Sequence, residues 1–204
     1  MILKILQPSD KIYLSREGKN DMNFYRPKNF IDMIKIRMLY RSAFPREERK
    51  PFSMILKMQK LGKTDLWYFT ENGRFLGFAS TINGPDKVLI DYFTVNTSLR
   101  GRGNGTRMLR TLIDYYSPKG VFLEIEIPYE NSENYEERVR RKAFYLRTGL
   151  TEIGTSVELF GVDMELLGVG VSMTFDEYRS FYLDNYSMYA YDHIKPVKNA
   201  EKNV

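Results

Sequence analysis

Val95-Asn96-Thr97-Ser98-Leu99-Arg100-Gly101-Arg102-Gly103-Asn104-Gly105 is the stretch on which the reading of this chain turns. Upstream of the loop, Val88 to Val95 is an apolar run of strand length. Downstream, Met108, Leu109, Leu112, Ile113 and Tyr116 share one helical face, which predicts a helix from Gly105 or Thr106 to about Tyr116. A strand that enters glycines and then a helix gathers backbone N–H groups and the positive end of a helix dipole at one point, which makes an anion site. The glycines let backbone approach a pyrophosphate without Cβ interference, and Arg100, Arg102 and Arg107 add positive charge.

Two familiar glycine loops fail here. A Walker loop needs Gly-Lys followed by Ser or Thr, whereas this chain has Gly105-Thr106-Arg107. A dinucleotide fingerprint needs Gly-x-Gly-x-x-Gly after the first strand of a parallel βαβ unit, but this strand follows an antiparallel hairpin. The runs Leu66 to Thr70 and Phe75 to Thr81 flank Glu71-Asn72-Gly73, and Asn-Gly is the favoured tight-turn pair; Gly84-Pro85-Asp86 then turns into the third strand. A flexible turn with incidental arginines is the plain alternative, and the flanking strand and helix argue against it.

Further out, two amphipathic helices precede the hairpin. Phe30 to Arg41 carries Ile31, Ile34 and Met38 as its apolar face, and Phe52 to Lys60 carries Met54, Ile55 and Met58. After the loop helix, Val121 to Ile127 reads as a buried strand ended by Pro128. Tyr135, Val139, Ala143 and Leu146 mark another helix, closed by Gly149. Strands at Thr151 to Leu159 and Val162 to Leu167 flank Phe160-Gly161. A last helix begins at Thr174-Phe175-Asp176-Glu177, which has capping-box spacing, with Phe175, Tyr178 and Tyr182 as its apolar stripe. Lys195 to Val204 reads as polar and frayed. The expectation is one domain over residues 1–190 and a lysine-rich tail over 191–204, with no internal repeat.

Composition narrows the chemistry. With 204 residues, 43% apolar and 28% charged, the chain is long enough for one sizeable core and lies far from the disordered regime. It has no cysteine and a single histidine, His193 in the tail, so thiolate metal sites, cysteine nucleophiles, His-based metal clusters and a Ser-His-Asp triad drop out. No metal is expected, and acid–base work falls to Glu, Asp or Tyr. Met1-Ile2-Leu3-Lys4-Ile5-Leu6 reaches Asp10-Lys11 too early for a signal-peptide core, and no stretch nears about 18 apolar residues, so a soluble cytoplasmic protein is expected. The net charge of +5 comes from 31 Lys and Arg against 26 Asp and Glu, which allows a nucleic-acid partner and equally suits a phosphate-rich cofactor.

The stretch from Val95 to Gly105 resembles the acetyl-CoA motif of the GNAT acetyltransferases, Arg or Gln-x-x-Gly-x-Gly or Ala with an upstream Val. Phe144-Tyr145-Leu146-Arg147-Thr148-Gly149-Leu150 is similar to the family's aromatic-Tyr-x-x-x-Gly-Phe segment, and the strand before it reads Leu123-Glu124-Ile125-Glu126. The resemblance implies an α/β (α+β) GNAT acyl-CoA N-acyltransferase fold: a mixed, mostly antiparallel, splayed sheet flanked by helices, here with an extra C-terminal helix. It implies that the strand ending near Val95 and the strand at Leu123 part to admit the pantetheine arm of acetyl-CoA. The cosubstrate would then pair with the backbone of Phe93, Thr94 and Val95. Its pyrophosphate would rest on the amides of Arg100, Gly101, Arg102, Gly103, Asn104 and Gly105, with the thioester beside Tyr145.

Acetyl transfer to an amine needs a group that takes a proton from the ammonium and one that protonates the departing thiolate. The resemblance implies Glu124 as general base and Tyr145 as general acid, at longer spacing because of an insertion around Pro128 to Glu137. Tyr145 lies roughly 115° from the centre of the Tyr135–Val139–Ala143–Leu146 stripe, so packing of that stripe does not explain it; an edge tyrosine in water is the alternative. Glu124 and Glu126 share a strand face and could instead be solvated or paired with arginines of the neighbouring helix.

Leu89 stands where other members carry the base on the preceding strand, and Asp91 is the reserve candidate. Arg138 stands where many relatives have an Asn contacting the pantetheine arm. Asp91, Glu124, Glu126 and Glu158 would favour a cationic amine if they converge. The expected activity is transfer of acetyl from acetyl-CoA to a primary amine of a small molecule or peptide by direct attack. The alternatives are a GNAT-fold acetyl-CoA-binding protein without turnover and a basic RNA-binding module. A homodimer is compatible with the resemblance. The acceptor would be selected by the N-terminal helices, the insertion around Tyr129 to Tyr135 and the C-terminal helix, none of which carries a readable motif.

Overall fold

The computed structural model describes residues 13–14 and 22–197. They fall into two compact units: those up to Thr81 with Tyr92–Thr111, and Ile82–Asp91 with those from Leu112 onward.

In the first unit, β1 (Tyr13–Leu14) pairs antiparallel with β2 (Met22–Tyr25), and β2 pairs antiparallel with β3 (Thr64–Glu71). The order continues to β4 (Arg74–Asn83) and the C-terminal part of β5 (Lys87–Val95). Asn72 and Gly73 both have positive φ, 49° and 74°, so the β3–β4 hairpin turns as its Asn-Gly pair predicts. Between β2 and β3 lie α1 (Phe30–Ala43), a 3-10 turn at Arg46–Glu48, and α2 (Phe52–Lys60).

The buried face of α1 is not the expected one. Ile36, Leu39 and Tyr40 enter the core with Ile55, Leu66, Tyr68, Phe78 and Tyr92, whereas Ile31 and Met38 are 62% and 67% exposed. This helix is apolar on both sides, so periodicity alone cannot choose between them. Polar atoms of the core rings fix the link between the helices. The Tyr92 hydroxyl accepts from Lys50 N–H (3.0 Å) and donates to Glu48 O (2.9 Å), and Tyr40 donates to Lys50 O (2.9 Å).

The second unit runs in the order β5, β6 (Gly120–Glu126), β8 (Val162–Val169), β7 (Thr151–Leu159), β9 (Ile194–Pro196). The β6–β8, β8–β7 and β7–β9 pairs are antiparallel, and β5 pairs with β6 in parallel. That parallel ladder is short, Lys87–Leu89 against Gly120–Phe122, while β5 continues to Val95 and β6 to Glu126. The fold is thus mixed α/β with a mostly antiparallel open sheet and flanking helices.

α3 (Asn104–Tyr116) starts one residue earlier than predicted. It is followed by α4 (Tyr135–Thr148), α5 (Phe175–Asn185) and a short α6 (Met188–Asp192). Gly149 caps α4 at φ 113°, and both halves of the capping box form at Thr174 and Glu177. β9 and the end of α6 fall within the stretch read as tail: Ile194 is buried, and its strand pairs with Val157–Leu159. Residues 198–204 of that stretch lie outside the described residues.

α4 also corrects its sequence reading. Val139 and Leu146 of the predicted stripe are 37% and 38% exposed, while its Tyr135 and Ala143 are half-buried together with Arg138, Arg141, Lys142 and Tyr145. That inner face is cationic because the sheet presents acids to it. Arg138 and Arg141 bind Glu126, at 2.8 and 3.2 Å, and Lys142 binds Glu165 at 2.7 Å and Glu152 at 2.8 Å. Hydrophobic periodicity therefore does not mark the inner face of this helix.

Candidate functional site

The cradle is built by backbone. Gly77 of β4 lets that strand close on the end of β5, since a Cβ there would lie 2.2 Å from Thr94 O. Asn96 N–H donates to Leu76 O at 2.7 Å, and its side chain caps the 3-10 turn Thr97–Leu99 by accepting from Ser98 N–H. The chain then passes through Gly101 and Gly103, both left-handed at φ 76° and 75°, and a Cβ on either would point into open space. Only glycine adopts this path at little cost; other residues lose about 1–2 kcal/mol in the left-handed region.

α3 begins at once. Arg107 N–H is the first to reach back, to Gly103 O at 3.1 Å, so the N–H groups ahead of it on the first turn have no intrahelical acceptor. No acidic residue occupies that turn to compete for them. A loop with open space at two glycines, free helix-end N–H groups and cationic flanks fits a pyrophosphate.

The arginines divide the labour differently from the sequence expectation. Arg107 is a brace: Nη1 pairs with Glu71 at 2.6 Å and Nη2 donates to Asn104 Oδ1 at 2.8 Å, while Asn104 Nδ2 donates to Leu99 O at 2.9 Å. The buried Asn104 thus ties both sides of the loop together. Arg100 turns back toward Val95 O, at 3.3 Å from Nε. Arg102 is exposed, and among the described residues its side chain has no partner. Through Arg100 the loop touches the end of β5 at Thr94 and Val95, within the first unit.

The second unit carries the acid–base candidates. β6 presents Glu124 and Glu126 on one face, and the two meet different fates. Glu126 is held by Arg138 and Arg141, the pairing foreseen as an alternative for both. Arg138 also donates to Ile127 O (2.9 Å) and Asn134 Oδ1 (2.7 Å), so it staples the end of β6 to the start of α4.

Glu124 instead meets α5. Tyr178 donates to its Oε1 at 2.6 Å and Tyr182 to the same oxygen at 2.8 Å. Both rings are fully buried, and burial together with the Glu124 carboxylate pushes both phenols well above the ordinary tyrosine value, which keeps them protonated donors. The charge of Asp91 acts in the same direction on each. Sequence reasoning took Tyr178 and Tyr182 only as an apolar stripe. The available signal was their hydroxyls: leaving one buried and unsatisfied costs about 1–3 kcal/mol, so two buried tyrosines four apart demand an acceptor.

Tyr145 sits on the inner face of α4, half-buried against Phe144. Among the described residues its hydroxyl makes no hydrogen bond. Burial raises its pKa, partly offset by Arg141, so the phenol is protonated at neutral pH. Leu89 is buried and offers no chemistry, as expected. An open cleft of about 440 Å³ is lined by Glu126, Tyr129, Arg138, Glu158, Gly161, Val162 and Asp163. Tyr129 donates to Asp163 at 3.0 Å. Glu126 and Glu158 thus converge, joined by Asp163, whereas Glu124 and Asp91 do not line this cleft.

Among the described residues no helix is long and apolar enough to cross a membrane. A model of the acetyltransferase (GNAT) family matches residues 33–141, over half of the chain. No curated protein matches. Among solved structures, a GNAT-family protein of Bacteroides thetaiotaomicron is 20% identical, with 82% of this chain and 97% of that one covered at a TM-score of 0.67. The ribosomal-protein-S18-alanine N-acetyltransferase of Escherichia coli is 18% identical over 74% of this chain and 95% of its own, at a TM-score of 0.55. Arabidopsis thaliana NAA60 in complex with acetyl-CoA is 17% identical over 72% and 97%, also at 0.55. At these identities the likeness is one of fold.

Proposed function

We propose that this chain, which belongs to the acetyltransferase (GNAT) family, transfers an acetyl group from acetyl-CoA to a primary amine of a small molecule or peptide by direct attack, without a covalent enzyme intermediate. The observation that carries the reading is the backbone cradle, with Gly101 and Gly103 left-handed ahead of the α3 N-terminus. Acetyl-CoA bound there supplies an activated acyl thioester. The α3 N–H groups and Arg102 hold its phosphates, and the β5 backbone at Phe93, Thr94 and Val95 aligns the pantetheine arm.

Glu124 takes a proton from the acceptor ammonium, leaving the nitrogen lone pair for attack. Tyr145, a phenol whose pKa burial raises further, supplies a proton to the departing thiolate. The acceptor class proposed is a primary amine, cationic in water at neutral pH. A peptide α-amine belongs to that class, and the Escherichia coli neighbour is by its name an N-acetyltransferase of a protein alanine.

Release of free thiol from acetyl-CoA, followed over a panel of amines, polyamines, amino acids and peptides, tests the reading. Turnover with at least one primary amine is expected. Saturable acetyl-CoA binding with no turnover across the panel would leave a binding protein of this fold in its place.

A further inference from the structure

The strongest unassigned feature is the hold that α5 has on Glu124. Tyr178 and Tyr182 are spaced i, i+4, so both rings project from one side of the helix, and their hydroxyls converge on the single oxygen Oε1 at 2.6 and 2.8 Å. The rings pack on one another at 5.3 Å, and Tyr178 leans on Phe122, the same-face neighbour of Glu124 on β6. The helix is anchored where it begins by a complete capping box, which fixes the height at which the two tyrosines meet the strand. Both lie beyond residue 141, where the match to the family model ends.

Charges around this pair are disposed unevenly. Asp91 of β5 acts on both phenols, an acidic influence. The cations on the inner face of α4 are engaged elsewhere: Arg138 and Arg141 on Glu126, Lys142 on Glu152 and Glu165. Directly across from Glu124 on β8 stands Leu166, which is neutral. Each of the two phenolic donors favours the ionised carboxylate.

We propose that Tyr178 and Tyr182 are positioning residues that orient Glu124 and keep it ionised as the proton acceptor, a role that rests on the reading of Glu124 as general base. Two hydrogen bonds to one carboxylate oxygen stabilise the charged form over the neutral one. When the ammonium N–H bond breaks, the proton passes to the Glu124 carboxylate and the electron pair stays on nitrogen. The tyrosines exchange no proton themselves. Their contribution is to hold Glu124 charged at pH values where an equally buried, unassisted carboxyl would be protonated.

The test is a pH titration of the Glu124 carboxyl carbon by ¹³C NMR in protein labelled at glutamate Cδ, with the signal assigned by its loss in Glu124→Gln. Tyr178→Phe and Tyr182→Phe keep the rings and remove one donor each. Each single variant is expected to raise the midpoint by on the order of one pH unit, and the double variant by more. The acid limb of kcat/KM, measured by thiol release with the best acceptor of the amine panel, should move up in parallel, with kcat falling more than KM rises. Midpoints and acid limbs unchanged in both single variants would overturn the proposal. Undiminished turnover by Glu124→Gln would instead sink the general-base reading, and the NMR midpoints would still report whether the tyrosines hold the carboxyl.

Discussion

The loop proposed as a phosphate cradle and the Glu124 centre are built by opposite means. Between Val95 and Gly105 the work is done by main chain: two left-handed glycines, a helix end and a buried Asn104 whose side chain ties the loop to itself. At Glu124 it is done by side chains, two hydroxyls of α5 that lie 54 and 58 residues from the carboxylate they meet. A backbone site tolerates changes of side chain as long as φ and space are preserved. A side-chain site fails with the loss of one atom and is indifferent to backbone freedom nearby.

The largest effect should come from the side-chain site. Glu124→Gln should cut turnover by about 10²- to 10⁴-fold while acetyl-CoA binding, read by calorimetry, stays within a factor of two of the parent. If both fall together, the two sites are not separable in this way. Tyr145→Phe should lower kcat by about 10²-fold with binding again intact, and full activity in that variant would remove the general-acid role.

A smaller effect should follow from loosening the cradle without touching its backbone. Arg107→Ala frees Asn104 and leaves Glu71 without its partner, so acetyl-CoA binding should weaken about three- to tenfold and Tm should drop by a few degrees, on the order of 1 kcal/mol. Arg102→Ala should weaken binding comparably and leave Tm unchanged, because Arg102 braces nothing among the described residues.

The smallest concerns alkaline stability in the unit that holds the cradle. Burial and, secondarily, the Asp32 charge push the phenols of Tyr25 and Tyr68 up to about 12. Each is raised above its unfolded value, so the neutral phenol is favoured in the native state. That stability is fully present below about pH 10 and is lost as pH rises toward 12. A urea midpoint flat to pH 10 and falling beyond it is expected, and Tyr25→Phe should blunt the fall.

The same contrast decides what could be read from the residues. Features written in a few consecutive positions are legible: the Asn72-Gly73 hairpin, the Gly149 cap, the Thr174 capping box and the strand, glycine loop and helix that follow one another through Val95 to Gly105. Faces of helices are less so. α1 is apolar on both sides, and α4 turns its cations inward to Glu126 and Glu165, so hydrophobic spacing picks exposed residues in α1 and a mixture of exposed and half-buried ones in α4. The four-residue β2 and the three-residue β9 are too short to announce themselves and form because a neighbouring strand edge accepts them. Glu124 was nominated by family resemblance, but its partners Tyr178 and Tyr182 are joined to it only by the fold.

Calorimetric titration of acetyl-CoA into the parent and into Gly103→Glu addresses the cradle most directly. Saturable binding to the parent is expected at concentrations on the order of tens of micromolar or below. No binding is expected in the variant, which puts a carboxylate on a left-handed residue of the proposed phosphate loop. Equal binding by the two proteins, or no saturable heat with the parent, would contradict the cradle assignment.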